Sequence, residues 1–357
     1  MKLNPYSIIK RNMPIPALIR RKPPLQGLRG YNGYDRAADL RTDGLLEKWY
    51  VDLKSKYALY KVKKILKDKL EKDPPVSEVE KKALLKELFP SGFQNVKLKQ
   101  SSNVGDCYLI ASLQALINKA DDKLSLEDFF SSIIRKQKDG SFKVIFPGQN
   151  EFPIIVTKEE AEFGQVVPRE NSREIIYEHA KPIDADTGFK IIERAYGRLR
   201  RQLAIFGLLS KIPKSKMEDT LVLINGGFGN DALHDLTGWK SVFIKKPYKM
   251  RRFLDKFAKN PDKYLMTAGT VPERYAPTIF HVIRTNNGDK IVFMDEAREI
   301  MTGHAYSLKS VNPEKKEVFL TDPNVPSKEI KVSYKNFLRY FSDIAGVKVP
   351  KKSAFQL

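Results

Sequence analysis

One cysteine, four histidines and two tryptophans are spread over 357 residues. A lone cysteine excludes an intrachain disulfide and any zinc site built on a cysteine cluster. The histidines, at positions 179, 234, 281 and 304, form no His-x-x-x-His pair. No apolar run approaches the roughly 18 residues of a membrane span. The N-terminal region has no uninterrupted apolar core of the secretory type, so the expected location is cytoplasmic. Negative charge is also scarce, with 43 Asp and Glu against 64 Lys and Arg, a formal charge of +21. Such an excess favours acidic partners such as nucleic acid, anionic lipid surfaces or acidic polypeptides. The lysines run along the whole chain, which equally fits a general lysine bias. No arginine-rich recognition helix or RNA-binding aromatic signature stands out.

Residues 1–30 hold seven basic residues, no acidic ones and five prolines. That composition reads as an extended basic arm, either a solvated tail, an attachment to an anionic surface or a segment that docks on a catalytic cleft. With the residues that follow it forms a first segment, 1–44. Leu45 to Leu70 has a helical pattern, stopped at Asp73-Pro74-Pro75. Ser77 reads as an N-cap, with Glu80 completing a capping box for a helix over Glu78–Leu88. These two helices make a hairpin over 45–91. The next segment, 92–238, is mainly helical, with helices expected at Val104–Asn118, Leu126–Arg135 and from Asp186 to Leu203 or beyond. Short strands are expected at Phe142–Phe146 and Phe152–Val156. From 239 to 357 strands dominate, at Ser241–Ile244, His281–Arg284, Lys290–Met294, Ala305–Val311 and Glu317–Thr321. A last helix covers Ser333–Phe341, and the tail from Lys348 reads as solvated. The fold class is α+β, with a helical half followed by a strand-rich half.

The lone cysteine sits in Gly105-Asp106-Cys107-Tyr108-Leu109. A polar turn precedes it and an apolar helical run follows, with Leu109, Leu113, Leu116 and Ile117 on one face. Cys107 therefore falls in the first turn of a buried helix, where unpaired N–H groups and the helix dipole favour a thiolate. Asp106 is expected to cap that helix. Downstream, Gly303-His304-Ala305-Tyr306 enters one strand, and Asp322-Pro323 closes the next. Antiparallel pairing through the turn at Asn312-Pro313-Glu314 would set His304 beside Asp322. Cysteine, then histidine, then a carboxylate is the order of a nucleophile, its base and the group that orients the base. His234 reads as structural.

Taken together these residues resemble the calpain-like cysteine peptidases, which share the papain catalytic plan. Four ordered blocks carry the likeness: Gln100 with Gly105–Leu109; Glu193-Arg194-Ala195-Tyr196; Gly226-Gly227 with Ala232–Gly238; and Gly303–Tyr306 with the Asp322-Pro323 turn. The resemblance covers about Phe93 to Asp343. It implies a two-lobed papain-like fold with the site between the lobes, and a thiol-dependent endopeptidase acting on proteins or peptides. By the same likeness Cys107 is the nucleophile, His304 the base, Asp322 its orienting partner and Gln100 an oxyanion donor, while Gly227 and Gly303 line the substrate cleft. Animal calpains also imply calcium. No cofactor is required by the thiol chemistry, and no acidic loop ending in Glu offers calcium ligands here, so no metal residue is assigned. Four departures from the pattern are plain. Gln100 stands seven residues before Cys107 rather than six, Asp322 replaces an Asn, Asn324 occupies the place of a Trp, and Tyr108 rather than Trp follows Cys107. Two other readings use the same residues: a non-catalytic binding module with a basic surface, and a transglutaminase-like acyltransferase.

Overall fold

The structure is a computed structural model that describes residues 76–101, 104–119, 125–162, 165–170, 175–180, 183–205, 226–271, 282–285, 288–293 and 298–350. The basic arm, the helical pattern of Leu45–Leu70 and His281 lie outside these residues. Among those described, helices and antiparallel sheets alternate along the chain.

The first helix, α1 (Glu78–Leu88), begins as its cap dictates. Ser77 Oγ accepts from the Glu80 N–H, and Glu80 Oε2 accepts from the Ser77 N–H at 2.9 Å. After it come β1 (Leu98–Lys99), α2 (Cys107–Ile117) and α3 (Leu126–Ile133). Three short strands then form one antiparallel sheet, β2 (Ile134–Lys136), β3 (Phe142–Val144) and β4 (Ile154–Val156). Helix α3 is two residues shorter than its pattern suggested. Ile134–Lys136 pair with Phe142–Val144 instead, and ladder hydrogen bonds outweigh a weak helical preference in β-branched residues.

Next come α4 (Lys158–Glu162), a hairpin of β5 (Gln165–Glu170) and β6 (Ile175–Ala180), β7 (Asp184–Ala185), and the long α5 (Thr187–Ile205). The aromatic rings of Phe89, Phe130 and Phe189 meet edge to face or tilted, with centroids 4.4–5.3 Å apart, and tie α1, α3 and α5 into one core. Gly188 is needed there, since a Cβ would fall 2.3 Å from the Phe89 ring.

The C-terminal part holds α6 (Gly229–Thr237), β8 (Ser241–Ile244), α7 (Pro247–Lys259) and β9 (Tyr264–Thr270). A small sheet follows, of β10 (Val282–Thr285), β11 (Gly288–Phe293) and β12 (Arg298–Met301). The chain then runs through β13 (Ala305–Asn312), β14 (Glu317–Asp322), β15 (Val325–Ser333), α8 (Tyr334–Tyr340) and β16 (Phe341–Lys348). Six of these strands make the main antiparallel sheet in the order β15-β14-β13-β9-β16-β8.

The sheet is buried on both faces. Leu265, Ala305 and Val347 pack with α2 and α6 into the core of the N-terminal half. Met266, Tyr306 and Leu308, one residue out of phase, pack with Met250, Phe253, Leu254 and Phe257 of α7 and with Phe337 of α8. Period-two alternation divides the two cores. On the first face, α6 approaches the sheet closely enough that a Cβ on Gly229 would collide with Thr267 Oγ1.

Helix α7 and strands β9, β12, β15 and β16 are additions to the elements expected in this strand-dominated part. Helix α7 carries its apolar residues at i, i+3, i+4 and i+7 behind a proline at its first turn, a legible helix signal. Strand β9 is buried at all seven positions, so no alternation marks it. The tail is not solvated at its start: Lys348 ends β16, and the Val349 N–H donates to Lys263 O at 2.9 Å.

Candidate active site

Cys107 is the first residue of α2, and only 8% of its surface is exposed. Its backbone N–H is one of the orphan donors at a helix start. Helix α2 is buried nearly all round. At its far end Asn118 Nδ2 donates to Ser307 Oγ at 3.2 Å and to Thr321 Oγ1 at 3.3 Å. Those two residues face each other across β13 and β14, so one side chain ties helix α2 to both strands.

His304 directly precedes β13. Gly303 makes the entry at φ +58°, a conformation that glycine adopts freely. Thr270 holds the His304 backbone from both sides: its N–H donates to His304 O at 2.9 Å, and its Oγ1 accepts from the His304 N–H at 2.9 Å. The imidazole is 5% exposed, and its ring meets Tyr306 edge-on at 4.8 Å. Nε2 lies 3.0 Å from Asp322 Oδ1, and Cys107 is near enough to act on the ring electrostatically. With Nε2 committed to the carboxylate, Nδ1 is the ring nitrogen left for another partner.

Burial alone would discharge this imidazole. The influence of Cys107, the hydrogen bond to Asp322 and the Asp322 charge outweigh it and push the His304 pKa up to about 9.

Asp322 ends β14, where the pairing shifts and the chain turns through Pro323 into β15. Its Oδ1 also accepts from the Asn324 N–H at 2.8 Å, an Asx-type turn that fixes the carboxylate. Asn324 Nδ2 lies 3.3 Å from His304 Nε2 and 3.3 Å from Met301 Sδ. The amide thus borders the same imidazole edge.

The Gln100 N–H donates to Pro323 O at 2.9 Å, which links this residue to the Asp322 turn. Its side chain is buried, with Nε2 donating to Val104 O at 2.8 Å. An amide nitrogen carries two protons, and this bond uses one. Ser102 and Asn103, inside the longer spacing, lie outside the described residues.

Gly227 has a packing role beside any role in a cleft. A Cβ there would sit 2.5 Å from the Tyr108 ring, and the Gly226 N–H donates to Gly105 O at 2.8 Å. The glycine pair closes directly on the turn before Cys107. His234 is structural, its Nδ1 2.8 Å from Trp239 O. His179 stands in β6, opposite Val166.

Asp106 is a correction to the sequence reading. It stands at the N-cap of α2, but its side chain makes no capping bond. It is fully buried with neither carboxyl oxygen hydrogen-bonded among the described residues, and burial, together with the charge of Glu193 of α5, pushes its pKa well up. Nothing in the sequence marks Asn118 or the Pro323 carbonyl as part of this site, because both act across strand register.

Among the described residues no three His, Cys, Asp or Glu side chains converge as a metal site would need. Nor is any described helix long and apolar enough to cross a membrane. No known family model matches the chain, and no curated protein matches it either.

Proposed function

We propose that this protein is a thiol-dependent endopeptidase of the calpain-like kind, with a papain-like arrangement of a helical and a strand-rich lobe. One observation carries the reading: buried His304 lies 3.0 Å from Asp322 Oδ1, with the buried Cys107 near enough to act on the same ring. A thiol, an imidazole and a carboxylate in that arrangement form a nucleophile, a proton carrier and its orienter.

In the reaction Cys107 Sγ attacks the scissile carbonyl as a thiolate beside the His304 imidazolium. The carbonyl oxygen becomes an oxyanion that accepts from the Cys107 N–H and from the second proton of Gln100 Nε2. One such donor contributes about 3 kcal/mol to the transition state. Collapse breaks the C–N bond, and His304 protonates the leaving amine, which departs and leaves a thioester. The now neutral His304 then takes a proton from water as that water attacks the thioester. The acid product leaves and the thiolate–imidazolium pair is restored. Asp322 keeps the Nε2–H bond throughout and fixes which nitrogen faces sulfur.

The test is labelling by an epoxide-type thiol protease inhibitor. The wild-type chain should acquire one adduct, at Cys107, and lose casein cleavage in proportion. An unlabelled, non-cleaving chain would sink the peptidase reading and favour the binding module. Incorporation of an amine into a glutamine-bearing protein would favour acyl transfer.

A further inference from the structure

We propose that the outer edge of β8, with the basic residues around it, is a docking surface for an extended acidic segment of a partner polypeptide, which adds a strand beside Ser241–Ile244.

The backbone comes first. Strand β8 stands last in the six-stranded sheet, and among the described residues it pairs with β16 alone. The Lys348 N–H donates to Lys240 O at 2.9 Å, which makes Lys240 and Lys348 a hydrogen-bonded pair of that ladder. With a period of two, Val242 and Ile244 also turn their N–H and C=O toward β16. The N–H and C=O of Ser241 and Phe243 therefore face away from the sheet, at two exposed residues. No described backbone group bonds to them. Such a row is a template for one further strand.

Charge selects the partner. From Lys240 to Lys259 the chain has eight basic residues and one acidic residue, Asp255. All eight are exposed, and none makes an ion pair among the described residues. The opposite edge of the sheet differs. There Lys331 of β15 meets Glu317 at 2.9 Å and Glu329 meets Lys309 at 2.8 Å, so those charges are matched within the fold. At the β8 edge Lys245 Nζ lies 4.9 Å from the centre of the Phe243 ring and 5.7 Å from that of Phe228. The two rings meet edge to face at 5.1 Å, a platform that holds this ammonium beside the strand. Phe243 is 40% exposed and offers an apolar contact midway along the edge. Lys246 and Lys249 carry the positive surface into the first turn of α7.

The same lysines repel a second copy of β8, as edge lysines do. They also repel the N-terminal arm, which has seven basic residues and no acidic ones. Nucleic acid or an anionic lipid surface would match the charge but leave the backbone row unpaired. An extended acidic peptide matches both, with main-chain hydrogen bonds for affinity and carboxylates for selection.

The probe is a fluorescein-labelled peptide of alternating Glu and Val. Its binding is read by anisotropy on the full-length Cys107→Ser chain, which keeps the probe intact whether or not the protein is a peptidase. The probe should bind, and more weakly as salt is raised. Lys245→Glu combined with Lys246→Glu should weaken it by about tenfold or more. A control peptide with proline in place of each valine keeps the charge but cannot pair as a strand, and should lose most of the binding. Ser241→Pro removes one outward N–H without touching the β16 ladder, and should weaken binding with circular dichroism and thermal melt unchanged. If that variant unfolds, the proline control peptide decides. Absence of binding, equal binding of the proline control, or indifference to the two lysine reversals overturns the proposal. So does displacement of the probe by a single-stranded DNA oligonucleotide or by phosphatidylserine vesicles at lower concentration than the unlabelled peptide requires. Cleavage enters none of these readouts, so failure of the peptidase reading would appear separately, in the inhibitor labelling.

Discussion

Asp322 Oδ1 binds two donors at once, the ring of His304 at 3.0 Å and the backbone N–H of Asn324 at 2.8 Å. The second bond orients the first, because a carboxylate pinned by its own turn presents the same oxygen to the imidazole without a search over rotamers. Asn324 reaches the same ring nitrogen at 3.3 Å, yet a nitrogen that donates its one proton to the carboxylate has nothing further to offer an amide.

This relationship ranks three substitutions. Asp322→Ala should lower kcat/KM on a peptide substrate by roughly one to two orders of magnitude, less than serine proteases lose, since the thiolate–imidazolium pair partly sustains itself. Asp322→Asn should keep most activity, because an amide oxygen accepts the same bond. Asn324→Ala should cost much less than Asp322→Ala. A larger loss at Asn324 would move the orienting role two residues along the chain.

Cys107→Ser should abolish casein cleavage while leaving the fold intact, since the two side chains are nearly isosteric. Circular dichroism and a thermal melt supply the control. A serine variant as fast as wild type would rule out the thiol mechanism.

Gly227→Ala should destabilise the chain by about 1–3 kcal/mol, the usual cost of overpacking, because the new methyl meets the Tyr108 ring. Tyr108→Ala opens that space, so the double variant should lose less than the sum of the two single changes, measured by urea unfolding. Strict additivity would place the glycine requirement elsewhere.

Asn118→Ala removes donors to both Ser307 and Thr321. Each hydrogen bond contributes about 1 kcal/mol, so unfolding free energy should drop by roughly that much or twice it. Turnover should fall as well, as the helix bearing Cys107 loosens against the strands that carry its partners. Unchanged stability would mean that water replaces both bonds.

The pH dependence of stability follows from His304. Its pKa is raised in the folded chain to about 9. The stability from its charged form is therefore complete below the unfolded value, about 6.5, and is lost as pH rises through about 9. The difference in unfolding free energy between wild type and His304→Ala should shrink between about pH 6 and about pH 10. A difference that grows with pH would mean that the ring is neutral in the native state.

What the sequence by itself determined are the features whose cause is local. The capping box at Ser77 and Glu80, the helix opening at Cys107, and the strands that carry His304 and Asp322 follow from residue spacing and turn chemistry within a few positions. The sequence was also enough to expect His304 beside Asp322, because a short turn joins their strands. The tertiary structure alone decided the rest. Strand β9 shows no alternation because it is covered on both faces, so its place at the centre of the sheet is invisible in its own residues. Asp106 has the position of a cap, yet its side chain makes no capping bond and is fully buried, against packing that includes Glu193 of a distant helix. Asn118 and the Pro323 carbonyl serve the site only through register and packing. Such roles depend on which backbones meet across long chain separations, and short-range pattern carries no record of that.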